Sequence, residues 1–191
     1  YSQQLASISI LEQRRIKGIV KTGMTQNKAM INIAQDVGKS GLLTSKVQLQ
    51  TLTRTAITET SNFVSNTTYK LNDDVVQGYQ YVATLDSRTS LICGRLDGKV
   101  YSLDNENAPQ PPQHFNCRST TIPVIKSTNQ LLNTDNNRLQ KRKIARLSDS
   151  RRASINGQVP AKTTYPEWLK TQPNEVKLAV LGSSKRVNLF D

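Results

Sequence analysis

Aromatic residues make up only 5% of this 191-residue chain, and apolar residues of all kinds only 36%. Ordinary globular chains are about 45–50% apolar, so a small core and some extended chain are expected. Two cysteines are too few for a disulfide framework. There is a single histidine. No apolar run approaches the roughly 20 residues that a membrane helix needs, and no signal peptide is visible, so a membrane is not an expected partner. The chain starts at Tyr1 rather than Met, as a fragment or processed product would. What it has in excess is positive charge: 26 basic residues against 14 acidic ones, a net +12. Such an excess points to an acidic partner, nucleic acid above all; the plain alternative is a solubilising face.

The first part of the chain reads as helical. Over 4–37, Leu5, Ile8, Leu11, Ile16 and Ile19 give an imperfect apolar face, and Thr25 is placed to cap a second helix ending at Gly38. A longer helix follows from about Ser45 to Leu71. Leu49, Leu52, Ala56 and Phe63 form its stripe, with Ile57 and Val64 beside it. Its many Thr, Ser and Asn residues are weak helix formers, so it should need a partner surface. Strand patterns then appear at 78–86, at 98–103 after an Asp97-Gly98 turn, and at 119–125, where Pro123 argues for an edge. Residues 127–160 look irregular. "RRAS" (151–154) has the look of a basophilic kinase site, expected in a solvated loop. Two short helices are expected at 165–172 and 173–182, the second stopped by Gly182.

Both cysteines and the histidine fall within "TLDSRTSLICGRLDGKVY" (84–101) and "PPQHFNCRSTT" (111–121). Cys93, His114 and Cys117 are good zinc ligands, yet a structural zinc site wants four protein ligands, so Asp86 or Asp97 would have to supply the fourth. A Cys93–Cys117 disulfide, a Cys–His hydrolytic pair and plain packing of buried thiols are the other readings. The charged residues of the motif point to scaffolding. Asp86 and Arg88 are near enough to brace a turn, and Arg118 could form a bidentate bond to Asp86 or Asp97. The stretch 138–152 carries Arg138, Lys141, Arg142, Lys143, Arg146, Arg151 and Arg152 against one acid, Asp149. Phosphate contact without sequence readout is its expected use, with a solvated linker as the alternative. No aromatics interleave with it, which argues against base stacking.

"RTAITETSNFVSNTTYKLNDDVVQGYQYVATLDSRTSLICGRLDGKVY" followed by "PPQHFNCRSTTIPVI" closely resembles the phage head morphogenesis family, the Mu F-like minor head proteins. "TTYPEWLKTQPNEVKLAVLG" resembles the C-terminal segment of the same family, so the likeness runs from about 45 to 190. The family motif falls on Asp86, Arg88, Thr89, Cys93, Asp97, Gly98, His114, Cys117 and Arg118. Many relatives carry extra cysteines where this chain has Ser90 and Ser119, which weakens a metal reading here and leaves the motif as a hydrogen-bonded clasp. The resemblance implies a tailed-phage virion protein in few copies, made in the bacterial cytoplasm and placed in the head interior near the portal vertex. It implies portal or major capsid protein as partners, copies arranged around the portal, and a role in head assembly and genome delivery.

The expected architecture is α+β. It comprises a helical region (1–72), a small antiparallel sheet domain held by the motif (73–128), a basic arm (129–160) and short C-terminal helices (161–191). The expected function is binding, to portal or capsid and to double-stranded DNA, with no enzymatic activity and no cofactor. The alternatives are a metal-dependent nuclease using Cys93, His114 and Cys117, or a free DNA-binding module.

Overall fold

The computed structural model describes residues 10–41, 46–127, 130–131 and 150–191. Among these are seven helices and two small antiparallel sheets, so the α+β expectation holds. The chain divides into two compact units. One comprises the described residues up to 66 with 110–118, the other those of 67–109 and of 119 onward.

The first unit is helical. Helix α1 (Ile10–Thr25) and helix α2 (Met30–Lys39) form a hairpin, and most of α3 (Lys46–Leu71) belongs with them. Its core is Ile16, Val20, Ile33, Val37 and Ala56, with Ile19, Met24 and Ile57 packed against it. The break between α1 and α2 falls at Asn27, whose φ of 54° is left-handed, a region that asparagine tolerates better than most residues. Thr25 does not cap α2. Its hydroxyl donates back to the Thr22 carbonyl at 2.9 Å, and Ala29 precedes α2 without a side-chain cap. The long helix runs as the apolar spacing predicts, but Phe63 and Val64 are exposed rather than part of a buried stripe. The weak helix formers in α3 are bonded onto its own preceding turn: Thr55, Thr60 and Asn62 donate to the carbonyls of Thr51, Ala56 and Thr58 at 2.8 Å.

The second unit carries a three-stranded antiparallel sheet, ordered β2 (Val100–Ser102), β1 (Val76–Val82), β3 (Thr120–Ile125). All three expected strands are present, the first over 76–82 rather than 78–86, and Pro123 lies in an edge strand as expected. One sheet face buries Tyr79 with Tyr69, Val76 and Ala108. Between β1 and β2 lies a short helix, α4 (Leu91–Leu96), capped by the Ser90 hydroxyl accepting from the Cys93 N–H at 3.2 Å. Residues 150–160 are not irregular. They form a hairpin of β4 (Arg151–Ser154) and β5 (Gly157–Pro160), so the kinase-like "RRAS" is a strand rather than a loop. Helices α5 (Tyr165–Lys170), α6 (Asn174–Leu181) and α7 (Ser184–Phe190) follow.

The helices of the first part run to Leu71, close to the expected boundary, while the compact helical unit stops at residue 66 and takes in 110–118. Residues 150–160, expected as the end of a basic arm, belong with the C-terminal helices to the sheet-containing unit. The physical reason is burial: Leu85, at the exit of the first strand pattern, packs with Tyr165, Trp168, Leu169, Leu181 and Val187 in one core. Each such large side chain contributes about 1.5–3 kcal/mol when buried, enough to hold the C-terminal helices on the unit. Among the described residues no helix is long and apolar enough to cross a membrane.

Candidate functional site

The motif "TLDSRTSLICGRLDGKVY" folds around two carboxylates. Asp86 opens a turn. Its Oδ1 accepts from the Arg88 backbone N–H at 3.0 Å, and the Thr89 hydroxyl, which donates to the Thr84 carbonyl, stands 3.3 Å from it. This Asx geometry explains why an Asp followed by a hydroxyl three residues on suits the position. The Asp86–Arg88 ion pair exists, at 3.7 Å, but the Arg88 side chain is 78% exposed, so the backbone and hydroxyl bonds do most of the bracing. The Tyr165 hydroxyl closes the turn from the C-terminal side, donating to the Asp86 carbonyl at 3.2 Å.

Asp97 is the centre of the arrangement. Its side chain is fully buried and accepts four hydrogen bonds. They come from the Ala83 N–H at 2.7 Å, the Tyr165 N–H at 2.6 Å, and both terminal nitrogens of Arg152 at 3.0 and 3.1 Å. Arg152 extends the network to the carbonyls of Thr163, at 2.9 Å, and Ala83. One carboxylate thus joins the end of β1, the hairpin and the start of α5. Glu167 fixes that start. It accepts from the Thr164 N–H at 2.7 Å and the Thr164 hydroxyl at 2.9 Å, and these bonds hold its carboxyl below the usual range. Gly98 follows with φ of 81°, which favours glycine, and its N–H donates to the Tyr81 carbonyl at 2.9 Å to start β2. Gly94 lets the Tyr165 ring lie against α4, since a Cβ there would stand 2.5 Å from the ring.

The guanidinium on Asp97 is therefore Arg152, whereas the sequence offered Asp97 or Asp86 as the partner of Arg118. Arg118 is exposed. Arg152 was also expected to face DNA, but its charge is spent inside the protein. Arg151 is exposed. Arg138, Lys141, Arg142, Lys143 and Arg146 lie outside the described residues. Tyr165 was missed as part of the motif. Its position at the first turn of a capped helix was legible, but its partners more than seventy residues away were not.

Cys93 and the His114–Cys117 pair belong to different units. Cys93 sits buried in α4, where the Tyr81 hydroxyl lies 3.3 Å from its sulfur. His114 and Cys117 share a turn, with the Cys117 N–H donating to the His114 carbonyl at 3.2 Å and their ligand atoms within 4.8 Å. The His114 Nδ1 lies 2.8 Å from the Phe115 carbonyl. A carbonyl only accepts, so Nδ1 carries a proton. The turn is seated on α3: Asn116 donates from its backbone to the Thr55 hydroxyl at 3.0 Å and from its side chain to that of Thr51 at 3.3 Å, while the Thr58 hydroxyl donates to the Cys117 carbonyl at 3.1 Å. The threonines that weaken α3 as a helix are the sockets of this turn. Both cysteines are free thiols.

A family model described as phage Mu protein F-like matches residues 14–122, more than half of the chain. The chain belongs to the phage Mu protein F-like family. The match runs from within α1 to within β3 and includes every motif position from Asp86 to Arg118. It begins earlier than the resemblance seen in the sequence and stops before the C-terminal helices. No curated protein and no solved structure matches the chain. Membership supports the coarse reading of a phage head protein.

Proposed function

We propose that this Mu F-like protein is a structural minor head component. It docks at the portal vertex through portal or capsid protein, in several copies, and contacts packaged double-stranded DNA without reading its sequence. The observation that carries the structural role is the commitment of the motif: Asp97 spends its whole acceptor capacity on Ala83, Tyr165 and Arg152. A carboxylate so engaged braces a fold; it does not wait for a substrate. Family membership and the net charge of +12 support the head location and the acidic partner. Quantitative mass spectrometry of purified virions, before and after triggered DNA ejection, tests this. A few copies per particle are expected, and complete absence from particles would overturn it.

The same reading assigns the cysteines and histidine to packing and hydrogen bonding, without a resident metal. A closed zinc site needs four protein ligands, the chain has two cysteines and one histidine, and the carboxylates that would complete the set are engaged, Asp86 by Arg88 and Asp97 by Arg152. Protein purified with zinc in the medium is expected to hold well under one zinc per chain and to keep its Tm in excess chelator. One zinc per chain with a chelator-dependent Tm would refute this.

A further inference from the structure

We infer that α1 presents a phosphate-binding face, built by Arg14, Arg15 and Lys21, that takes the backbone of duplex DNA. On a helical wheel the buried residues Ile16, Val20 and Gly23 occupy one side. The opposite arc, roughly 160° wide at 3.6 residues per turn, holds Lys17, Lys21, Arg14, Gly18, Thr22 and Arg15, all exposed, together with Thr25 in the last turn and the exposed Ile10 and Leu11 in the first. The only acid of the helix, Glu12, falls outside that arc. Lys17 is paired with Glu59 at 2.8 Å. Arg14, Arg15 and Lys21 make no ion pair among the described residues.

A face kept only for solubility normally mixes both signs, since acids at three- or four-residue spacing stabilise a helix and like charges there weaken it. Here Arg14, Lys17 and Lys21 succeed one another at those spacings and only Lys17 is offset, by Glu59 from α3, so the face keeps an excess of positive charge. Gly18 has open space where a Cβ would stand, so a backbone can approach the middle of the face. Arg14 and Lys21 are about 10.5 Å apart along the axis, with Arg15 to one side. A protein partner would be expected to meet aromatics and few charges at the centre of its interface, and a lipid surface to meet an apolar wedge. The arc carries no aromatic, and its two exposed apolar residues, Ile10 and Leu11, stand in the first turn, N-terminal to the stretch from Arg14 to Lys21, which is cationic and polar throughout on this side and so favours phosphates.

This rests on the proposed contact with packaged DNA and supplies a site for it other than the stretch 138–152. The test uses the full chain and a random-sequence 30-base-pair duplex, with binding measured by fluorescence anisotropy across a salt series. The variant Arg14→Gln/Arg15→Gln/Lys21→Gln is expected to keep the wild-type Tm and lose at least tenfold in affinity. Its log K against log salt slope should be shallower by about 2.7. The Arg14→Lys/Arg15→Lys variant should keep the wild-type slope, because charge alone is used. If the wild type binds and the triple variant binds equally well with the same slope, the α1 assignment is wrong and the DNA reading survives. If the wild type does not bind the duplex at low salt, the DNA reading itself fails. Equal loss of binding to anionic vesicles or polyglutamate, with duplex binding intact, would move the face to another partner and overturn the assignment.

Discussion

Asp97→Ala is expected to destabilise the protein by about 3–5 kcal/mol, the usual cost of breaking a buried ion pair from one side. The substitution leaves the Arg152 guanidinium, whose side chain is only 15% exposed, without its counter-charge. It also strips the acceptor from the N–H groups of Ala83 and Tyr165, which are both buried. The bonds from Arg152 to the carbonyls of Thr163 and Ala83 remain and hold the loss to that range. For a chain of this size about 2–4 °C of Tm accompanies each kcal/mol, so a fall of roughly 6–20 °C should be seen by circular dichroism. The double variant Asp97→Leu/Arg152→Met should recover only part of the loss: it removes the uncompensated charge, but it leaves the N–H groups of Ala83 and Tyr165 and the Thr163 carbonyl without these partners. A loss for Asp97→Ala below about 1 kcal/mol, the value of a surface pair, would show that the network does not hold the unit together.

The second large effect is expected at Trp168, the only tryptophan of the chain and the largest of its fully buried side chains. Trp168→Ala should cost about 3–5 kcal/mol, since the cavity opens among Leu85, Tyr165, Leu169 and Leu181. Its ring stands 5.4 Å from that of Tyr165, so the same change loosens the residue whose backbone N–H binds Asp97. The indole N–H has no hydrogen-bond partner among the described residues. A buried unpaired donor costs free energy, so Trp168→Phe should lose much less than truncation, under about 1.5 kcal/mol. Denaturant melts followed by far-UV circular dichroism give both values. If alanine costs no more than phenylalanine, the C-terminal helices are not held by this core.

The outcome for the sheet and for the helices has one physical explanation. Strand β1 was legible because Tyr79 and Tyr81 alternate with polar neighbours, and the start of β2 because Asp97-Gly98 is turn chemistry with a left-handed glycine. Those signals lie within a few residues of each other. Helix α4 was missed because six residues are too few to show a period. Phe63 was wrongly placed inside because a stripe marks a face of a helix without saying how far along it a partner reaches. The hairpin of β4 and β5 was read as irregular because "RRAS" and "GQVP" carry few apolar residues; they are held by ladder bonds and by Arg152.

By itself the sequence determined the α+β class, the three-stranded sheet pattern, the positive charge and membership of a phage Mu F-like family, because period, turn chemistry and motif spacing are local properties of a chain. Only the tertiary structure decided which cation meets Asp97. Arg152 stands 55 residues away from it, and no local rule distinguishes it from Arg118 or Arg151. The same long-range choice sorts the remaining cations, since an arginine buried on a carboxylate is withdrawn from solvent while Arg14, Arg15 and Lys21, which have no such partner among the described residues, stay available for a polyanion.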